Sequence, residues 1–451
     1  MPVNSVHPDV EIWSPVWKKN MAAYMGDRVI RFGEDSKLYL PLLSENQSDP
    51  DYAAFKGRSY FLEATSRSVD GMVGVALWKE PTIGLPGSLK NFISQENVKE
   101  LMTEMYQTGR YGLLVDIDAN KDMKCAIYTA ANITNYSVNK DGTFGWVVLK
   151  ESEITYANDD KYLQIPETVY RELRINVDGN YEQVVHRLDD KKENWVEDDP
   201  IIPLKDGEPL KQIPFRIYNT NKASTDIEPP PITGIVNSNI AYYQIYTEIR
   251  HKYHWSAIIQ LVLFGVPNED AKKLKIGGKH AWGIKDPDGD AKLLETEGNC
   301  FEALAGGLKS ELATMAALGA RLLEPQKKDA EAAETVRLRQ TAEVATTGSI
   351  VGTVEGSIQW AIETAADWKS TPVKISEVFS MSRDFFTSEL SPERIREITS
   401  SWMVGALDDA NLFLNWKEGE LIKNDVTQEE FIKELKEKKN EMSEELNMEL
   451  E

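Results

Sequence analysis

Residues 301 to 369 constrain the chain more than any other stretch, because they encode two helices that a proline keeps from merging into one. Leu304, Leu308, Leu312, Met315, Leu318 and Leu322 recur at spacings of three and four, which places them on one stripe of a helix over 301 to 322. Val351, Val354, Ile358, Ile362 and Ala365 continue that spacing in a second arm, whose first half instead carries Glu331, Glu334, Arg337, Arg339 and Glu343. Pro325 lacks an N–H and pushes the residue before it out of the α region. Together with Gln326, Lys327, Lys328 and Asp329 it makes a short, basic, exposed elbow. Gly306, Gly307 and Gly319 loosen the boundaries of the first arm, since a glycine inside a helix costs roughly 1 kcal/mol against alanine.

The period of the apolar residues divides the rest of the chain. Trp13, Trp17, Met21, Tyr24 and Met25 recur at helical spacing and predict a first helix within 8 to 30. Residues 51 to 81 and 91 to 109 read as further helices, with Gly109 as the left-handed C-terminal glycine of the latter. From 111 to 218 the runs are short, β-branched and aromatic, and broken by turn signals such as Lys140-Asp141-Gly142, which predicts an antiparallel sheet region. Pro229, Pro230 and Pro231 mark a stiff linker. A helix is predicted over 232 to 264. KKLKIGGKHAWGI and DAKLLETE, flanking Pro287-Asp288-Gly289, then read as a small β hairpin. Residues 373 to 422 mix strand and helix, and the charged tail at 427 to 451 is either a marginal helix or disordered. The fold class that follows is α+β.

Composition matters here through what it excludes. A chain of 451 residues can build two or three cores without staples. Its formal net charge of −22 argues against general electrostatic adhesion to nucleic acid, which rests on Lys and Arg, while leaving passing contact with DNA open. Cys125 and Cys300, the two cysteines, lie far apart, fit a reducing compartment and offer no thiolate cluster. MPVNSVHPDVEIW has neither the charged start nor the apolar core of a signal peptide, and the run IIQLVLFGV is far shorter than the ~20 residues that span a bilayer. Neither secretion nor membrane insertion is expected.

The sequence contains no phosphate-binding loop, dinucleotide fingerprint, nucleophile elbow or His-Glu-x-x-His, so no catalytic residue, cofactor or metal is assigned. His251 and His254 sit three apart on a predicted helix but lack signalled further ligands. Asp116 and Asp118 are either a carboxylate pair for a cation or solvated acids at a strand end. Two basic spots interrupt the acidic background: Lys272, Lys273, Lys275, Lys279 and His280, and Lys327 with Lys328. They are either solvated loops or surfaces for an acidic partner. The polar half of the second arm is likewise either a solvent face or a surface that packs against copies of the chain in a ring.

The order of these parts, with several local stretches, resembles the portal proteins of tailed bacteriophages, the head-to-tail connectors of the portal vertex. YFLEATSRSVDGMVGVALWKEP at 60 to 81 is similar to an N-terminal segment of one portal sub-group, its pattern falling on Thr65, Arg67, Val69, Asp70, Gly71, Val73 and Gly74. GRYGLLVDID at 109 to 118 and MAALGARLLEP at 315 to 325 are further matches. The resemblance covers residues 10 to 423 and leaves the acidic tail unmatched.

The resemblance implies a portal fold: a wing at 1–230, stem helices at 231–264 and 301–322, a β-containing clip at 265–300, a tunnel loop at 323–330, a long wing helix at 331–370, and a C-terminal wing or crown region at 371–426 before the tail at 427–451. It implies a ring, normally of twelve copies, at one vertex of the virion capsid, assembled after synthesis in the host cytoplasm. Double-stranded DNA would be packaged and ejected through that ring. The implied partners are the terminase large subunit, a head-tail adaptor, the major capsid protein and a scaffold, with no membrane, no cofactor and no enzymatic activity of its own. Lys327 and Lys328 become candidate DNA contacts, and Lys272, Lys273, Lys275, Lys279 and His280 the docking surface for motor or adaptor. The rival readings are an α+β enzyme without a recognisable motif and another capsid-associated structural protein.

Overall fold

The computed structural model describes residues 2–118, 121–157, 160–189, 191, 193–256, 260–264, 288, 290–294, 299–319, 333–383, 385, 392–419, 421–422 and 426–437. Among them the fold is α+β, and every strand pairing is antiparallel. The chain divides into two compact units, Met1–Met381 and Ser382–Glu451.

The first unit opens with helices α1 (Pro8–Met25), α2 (Asp27–Phe32), α3 (Ser36–Tyr39), α4 (Asp49–Gly57) and α5 (Ala64–Ala76), then a short strand β1 (Thr82–Ile83) and helix α6 (Gln95–Thr108). Helices α1, α4 and α6 start where the sequence supplies a cap. His7 Nδ1 accepts from the Asp9 N–H at the head of α1, and Ser94 and Asn97 form a capping box on α6. The latter helix ends at Gly109, whose φ of 67° and N–H to the Met105 carbonyl complete a left-handed cap. Val98, Leu101, Met102 and Met105 of α6 are fully buried.

Strands β2 (Arg110–Ile117), β3 (Met123–Thr129), β4 (Ile133–Val138), β5 (Phe144–Ala157), β6 (Asp160–Ile175), β7 (Tyr181–Leu188) and β8 (Trp195–Glu197) follow, then β9 (Leu204–Lys205), β10 (Glu208–Pro209) and β11 (Phe215–Asn219). They build a three-stranded sheet ordered β11-β2-β3 and a five-stranded meander ordered β4 to β8. Val147, Leu149, Leu173 and Tyr181 from the larger sheet meet Leu114, Tyr128, Phe215 and Ile217 from the smaller, with Val10 and Trp17 of α1 closing the core. Gly112 is required at this junction. A Cβ there would overlap the Phe215 ring and lie 2.9 Å from Ile133 Cδ1.

Helices α7 (Thr233–Ser256) and α8 (Asn299–Ala317) pack antiparallel. Leu318, just past the end of α8, approaches Gly234 at the start of α7, and Phe301 stacks on Tyr253 with ring centroids 4.7 Å apart. Between them runs a hairpin of β12 (Gln260–Phe264) and β13 (Asp290–Leu294). Two expectations change here. The helix predicted over 232 to 264 ends at Ser256, because a short apolar run such as Leu261-Val262-Leu263-Phe264 has no period that separates helix from strand, and here it finds a strand partner. That partner shows the hairpin is closed by Gln260–Phe264 pairing with Asp290–Leu294, while the expected strand KKLKIGGKHAWGI lies outside the described residues. The helix of the first arm ends at Ala317, with Gly319 at φ 113°, and the expected end at Leu322 lies outside the described residues.

Helix α9 (Ala333–Trp368) runs 36 residues, about 54 Å at 1.5 Å per residue. Val351, Val354, Ile358, Ile362 and Ala365 are fully buried, and the helix packs on β2, β11, α5 and α6. A short helix α10 (Ile375–Val378) and strand β14 (Phe379–Ser380) follow, β14 pairing with β1. The second unit has helices α11 (Pro392–Met403) and α12 (Asp409–Glu418) and a further helix over 428–437. Its Phe431 packs against Phe413 and Trp416, and Thr427 and Glu430 cap its start reciprocally. The first part of the charged tail is therefore helical, and residues 438–451 lie outside the described residues.

Two measurements check this packing. Gly112→Ala is expected to lower unfolding free energy by about 1–3 kcal/mol in denaturant titrations. Glu104 of α6 is buried, and that burial pushes its carboxyl up to about 7 against hydrogen bonds from the Ala130 N–H and Thr108 hydroxyl. Since the folded chain holds this proton more tightly than the unfolded one, its contribution falls as pH rises from about 4.5 to about 7. Glu104→Gln should raise the melting temperature at pH 8, by up to ~3 kcal/mol in stability, with the gain vanishing below about pH 4.5.

Candidate functional site

The five-stranded sheet has a strict inside and outside because successive side chains in a strand alternate. Leu173 of β6 points into the core, so its neighbours Glu172 and Arg174 point outward. Cross-strand register brings Trp146 opposite Arg174, Val148 opposite Glu172, Glu182 opposite Arg174, and Glu197 opposite His186. All of these except the buried Glu182 line a cleft of about 680 Å³, together with Asn135, Trp195 and the chain start at Pro2, Val3 and Ser5.

Arg174 organises the cleft. Its Nε donates to Glu182 at 2.7 Å, Nη1 to Glu172 at 3.1 Å and Nη2 to Glu197 at 3.4 Å. Burial opposes its charge, yet the hydrogen bonds to Glu182 and Glu197 outweigh burial and hold its pKa above the ordinary arginine value. The same contact with Arg174 lowers the Glu182 carboxyl. His186, buried, places Nε2 3.0 Å from Glu172 Oε2. The ligand atoms of Glu172, His186 and Glu197 lie within 4.8 Å of one another, a grouping with the donor types of a metal site. Arg174 already supplies a cation that two of the three share. The sole hydroxyl among the lining residues, Ser5 Oγ, donates to the Pro2 carbonyl. The arrangement locks β6, β7 and β8 together and presents excess negative charge; it assembles no activated nucleophile.

On the opposite face, Arg171 grips Glu151 with two hydrogen bonds of 2.8 and 3.1 Å and donates to Gln183 at 2.9 Å. Asp116 accepts from Gln183 at 2.9 Å and lies 3.8 Å from Arg171, while Asp118 Oδ1 accepts from the Asp122 N–H. These two acids thus have separate structural partners. His251 Nε2 accepts from Trp255 Nε1 at 3.0 Å, its Nδ1 lies 3.4 Å from Arg58, and its ring meets Phe55 edge-on. Burial, then Arg58 and His254, lower its pKa. The histidine pair belongs to an aromatic cluster on α7. Lys272, Lys273, Lys275, Lys279, His280, Lys327 and Lys328 all lie outside the described residues. The cleft residues went unnoticed in the sequence, although Glu172-Leu173-Arg174 carries the signal: opposite charges two apart flanking a core leucine.

A family described as a domain of unknown function, DUF4055, matches residues 231–369. That span begins just before α7 and ends just after α9. No curated protein matches the chain. Among solved structures, a chain from the neck of an empty GTA particle computed with C6 symmetry has 9% identity and a TM-score of 0.38, over 82% of this chain and 92% of that one. A chain from the virion of a native gene transfer agent particle has 10% identity and a TM-score of 0.40, over 81% and 92% respectively.

Arg174→Gln tests the cleft. Removing the guanidinium leaves clustered carboxylates without their cation, so stability at pH 7 should drop by ~2 kcal/mol. Because Glu182's carboxyl is held low in the folded chain, the stabilisation exists above the ordinary carboxylate range and disappears as pH falls through the lowered value. Thermal unfolding from pH 7 to pH 3 should show the difference from wild type closing in acid.

Proposed function

We propose that the chain is a portal-type head-tail connector subunit, a structural component of a virus-like particle that forms a ring around passing DNA. One observation carries this reading. An antiparallel helix pair, α7 and α8, is separated by a β hairpin and followed by the 36-residue α9, in the order that the portal resemblance implies. In the proposal, α7 and α8 are the stem pair, the segment between them the clip, and α9 the wing helix. At 24 residues, α7 gives a stem of about 36 Å.

The chemistry suits a conduit. Double-stranded DNA is bound tightly by surfaces that neutralise phosphates, and a chain of formal net charge −22 does the reverse. A conduit must hold its cargo without gripping it, so sparse cations make the transient contacts. Lys327 and Lys328, beside Pro325 in the elbow, take that role in the proposal. Lys272, Lys273, Lys275, Lys279 and His280 form the surface that docks the packaging motor, which would supply the enzymatic activity.

Lys327→Glu with Lys328→Glu should reduce packaged or retained DNA at least tenfold while the subunits still assemble; packaging at the wild-type level would remove these residues from the channel. Deleting residues 272–280 should abolish pull-down of the terminase large subunit. Unchanged capture would move the docking surface elsewhere.

A further inference from the structure

The outer face of the five-stranded sheet holds more acid than its fold uses. Three carboxylates share the Arg174 guanidinium, and they differ in what it leaves them. Glu182, the closest and a buried one, has both oxygens engaged: Oε1 accepts from Arg174 and Oε2 from Asn176 Nδ2 at 3.1 Å. It belongs to the fold. Glu172 meets both Arg174 and His186 through Oε2, and Glu197 meets Arg174 through its Oε2 at 3.4 Å. Among the described residues, Oε1 of Glu172 and Oε1 of Glu197 accept no hydrogen bond. Lys150, the next cation on this face, stands opposite Tyr170 and does not line the cleft. Two carboxylates with an open oxygen each, joined in the lining by Glu193, therefore face the cleft of about 680 Å³.

The walls decide which cation suits that charge. Trp146 stands in register with Arg174 and Glu182, and Trp195 with Leu188, three strands across the sheet and six residues along β7. The two indoles, both half-buried, thus stand at opposite corners of an elongated site, with Tyr170 bracing Trp195 edge-on at 4.8 Å between centroids. A metal ion suits this poorly. The Glu172 oxygen nearest His186 is the one Arg174 holds, so an ion between the two would meet the guanidinium, and the indoles give it no ligand. An alkylammonium suits it well: its N–H groups reach the open oxygens, and indole is the best aromatic partner for a cation. A single ammonium leaves one of the two carboxylates uncompensated. An aliphatic chain with several fills a cleft of this size and shape.

We propose that this cleft binds a linear polyamine, an aliphatic chain carrying two or more ammonium groups. Glu172 and Glu197 are its charge partners, and Trp146 and Trp195 its walls. Every one of these residues comes from one chain, so the proposal goes beyond the connector reading and does not depend on ring formation.

The test is calorimetric titration of the full chain with spermidine near neutral pH and at about 0.1 M salt, where loose attraction to an acidic chain is screened. One saturable site per chain is expected. Trp146→Ala and Glu197→Gln should each weaken it at least tenfold. Glu100→Gln, which removes the same charge from the exposed face of α6, should leave it unchanged. Trp146→Phe keeps an aromatic wall and should recover most of the affinity lost in the alanine variant, which separates a missing wall from a folding defect. Heat that never saturates, or that is the same in Glu197→Gln and Glu100→Gln, would reduce the effect to general attraction and overturn the proposal. Saturable Zn2+ binding that requires His186, with no spermidine binding, would assign the cleft to a metal and overturn it as well. Either failure leaves the connector reading intact, since that reading is judged by ring formation.

Discussion

The first unit depends on one contact, the buried stripe of α9. Val351, Val354, Ile358 and Ile362 lie fully buried against the strand and helices that also hold the N-terminal half together. Tyr106 of α6 and Tyr111 of β2 anchor the same helix through hydroxyl contacts with Thr347 (2.9 Å) and Ser357 (2.7 Å). Burial of those four aliphatic side chains alone supplies on the order of 6–12 kcal/mol before chain entropy is counted. The 36-residue helix is thereby fixed to β2, α5 and α6 along its second half.

The sheets show how one strand can serve two purposes. Alternation in β6 sends Leu173 into the core, while Glu172 and Arg174 face the cleft. Where β6 leaves its sheet the alternation persists but the core does not, so apolar residues stand in solvent on both faces of the ribbon it forms with β5. The cleft's three paired carboxylates share a single guanidinium, Arg174, and so keep an excess of negative charge. Both features follow from the same alternation, which places charge on the outer face of the sheet and leaves apolar groups exposed where β5 and β6 extend beyond it.

Spacing alone revealed much of this fold. The stripe of α9, the aromatic face of α1 and the left-handed cap at Gly109 all follow from local rules that tertiary contacts did not override. The strand Gln260–Phe264 did not, because four apolar residues in a row carry no period and only the distant partner Asp290–Leu294 decides their state. Pro166 argues by local rules against a continuous strand, yet pairing with β5 holds this part of β6 extended. The cleft was hidden because its members, from Asn135 to Glu197, are assembled by register across five strands, which no short motif records. The lysines singled out by charge lie outside the described residues, so their role rests on sequence and resemblance.

A portal reading requires that many copies close around an axis. Electron microscopy of the purified full-length chain tests that most directly. The account predicts rings with a central hole wide enough for a DNA duplex, about twelve 50.9 kDa subunits each. Compact particles of one or two subunits with no axial channel, at every concentration and in the presence of DNA, would contradict it.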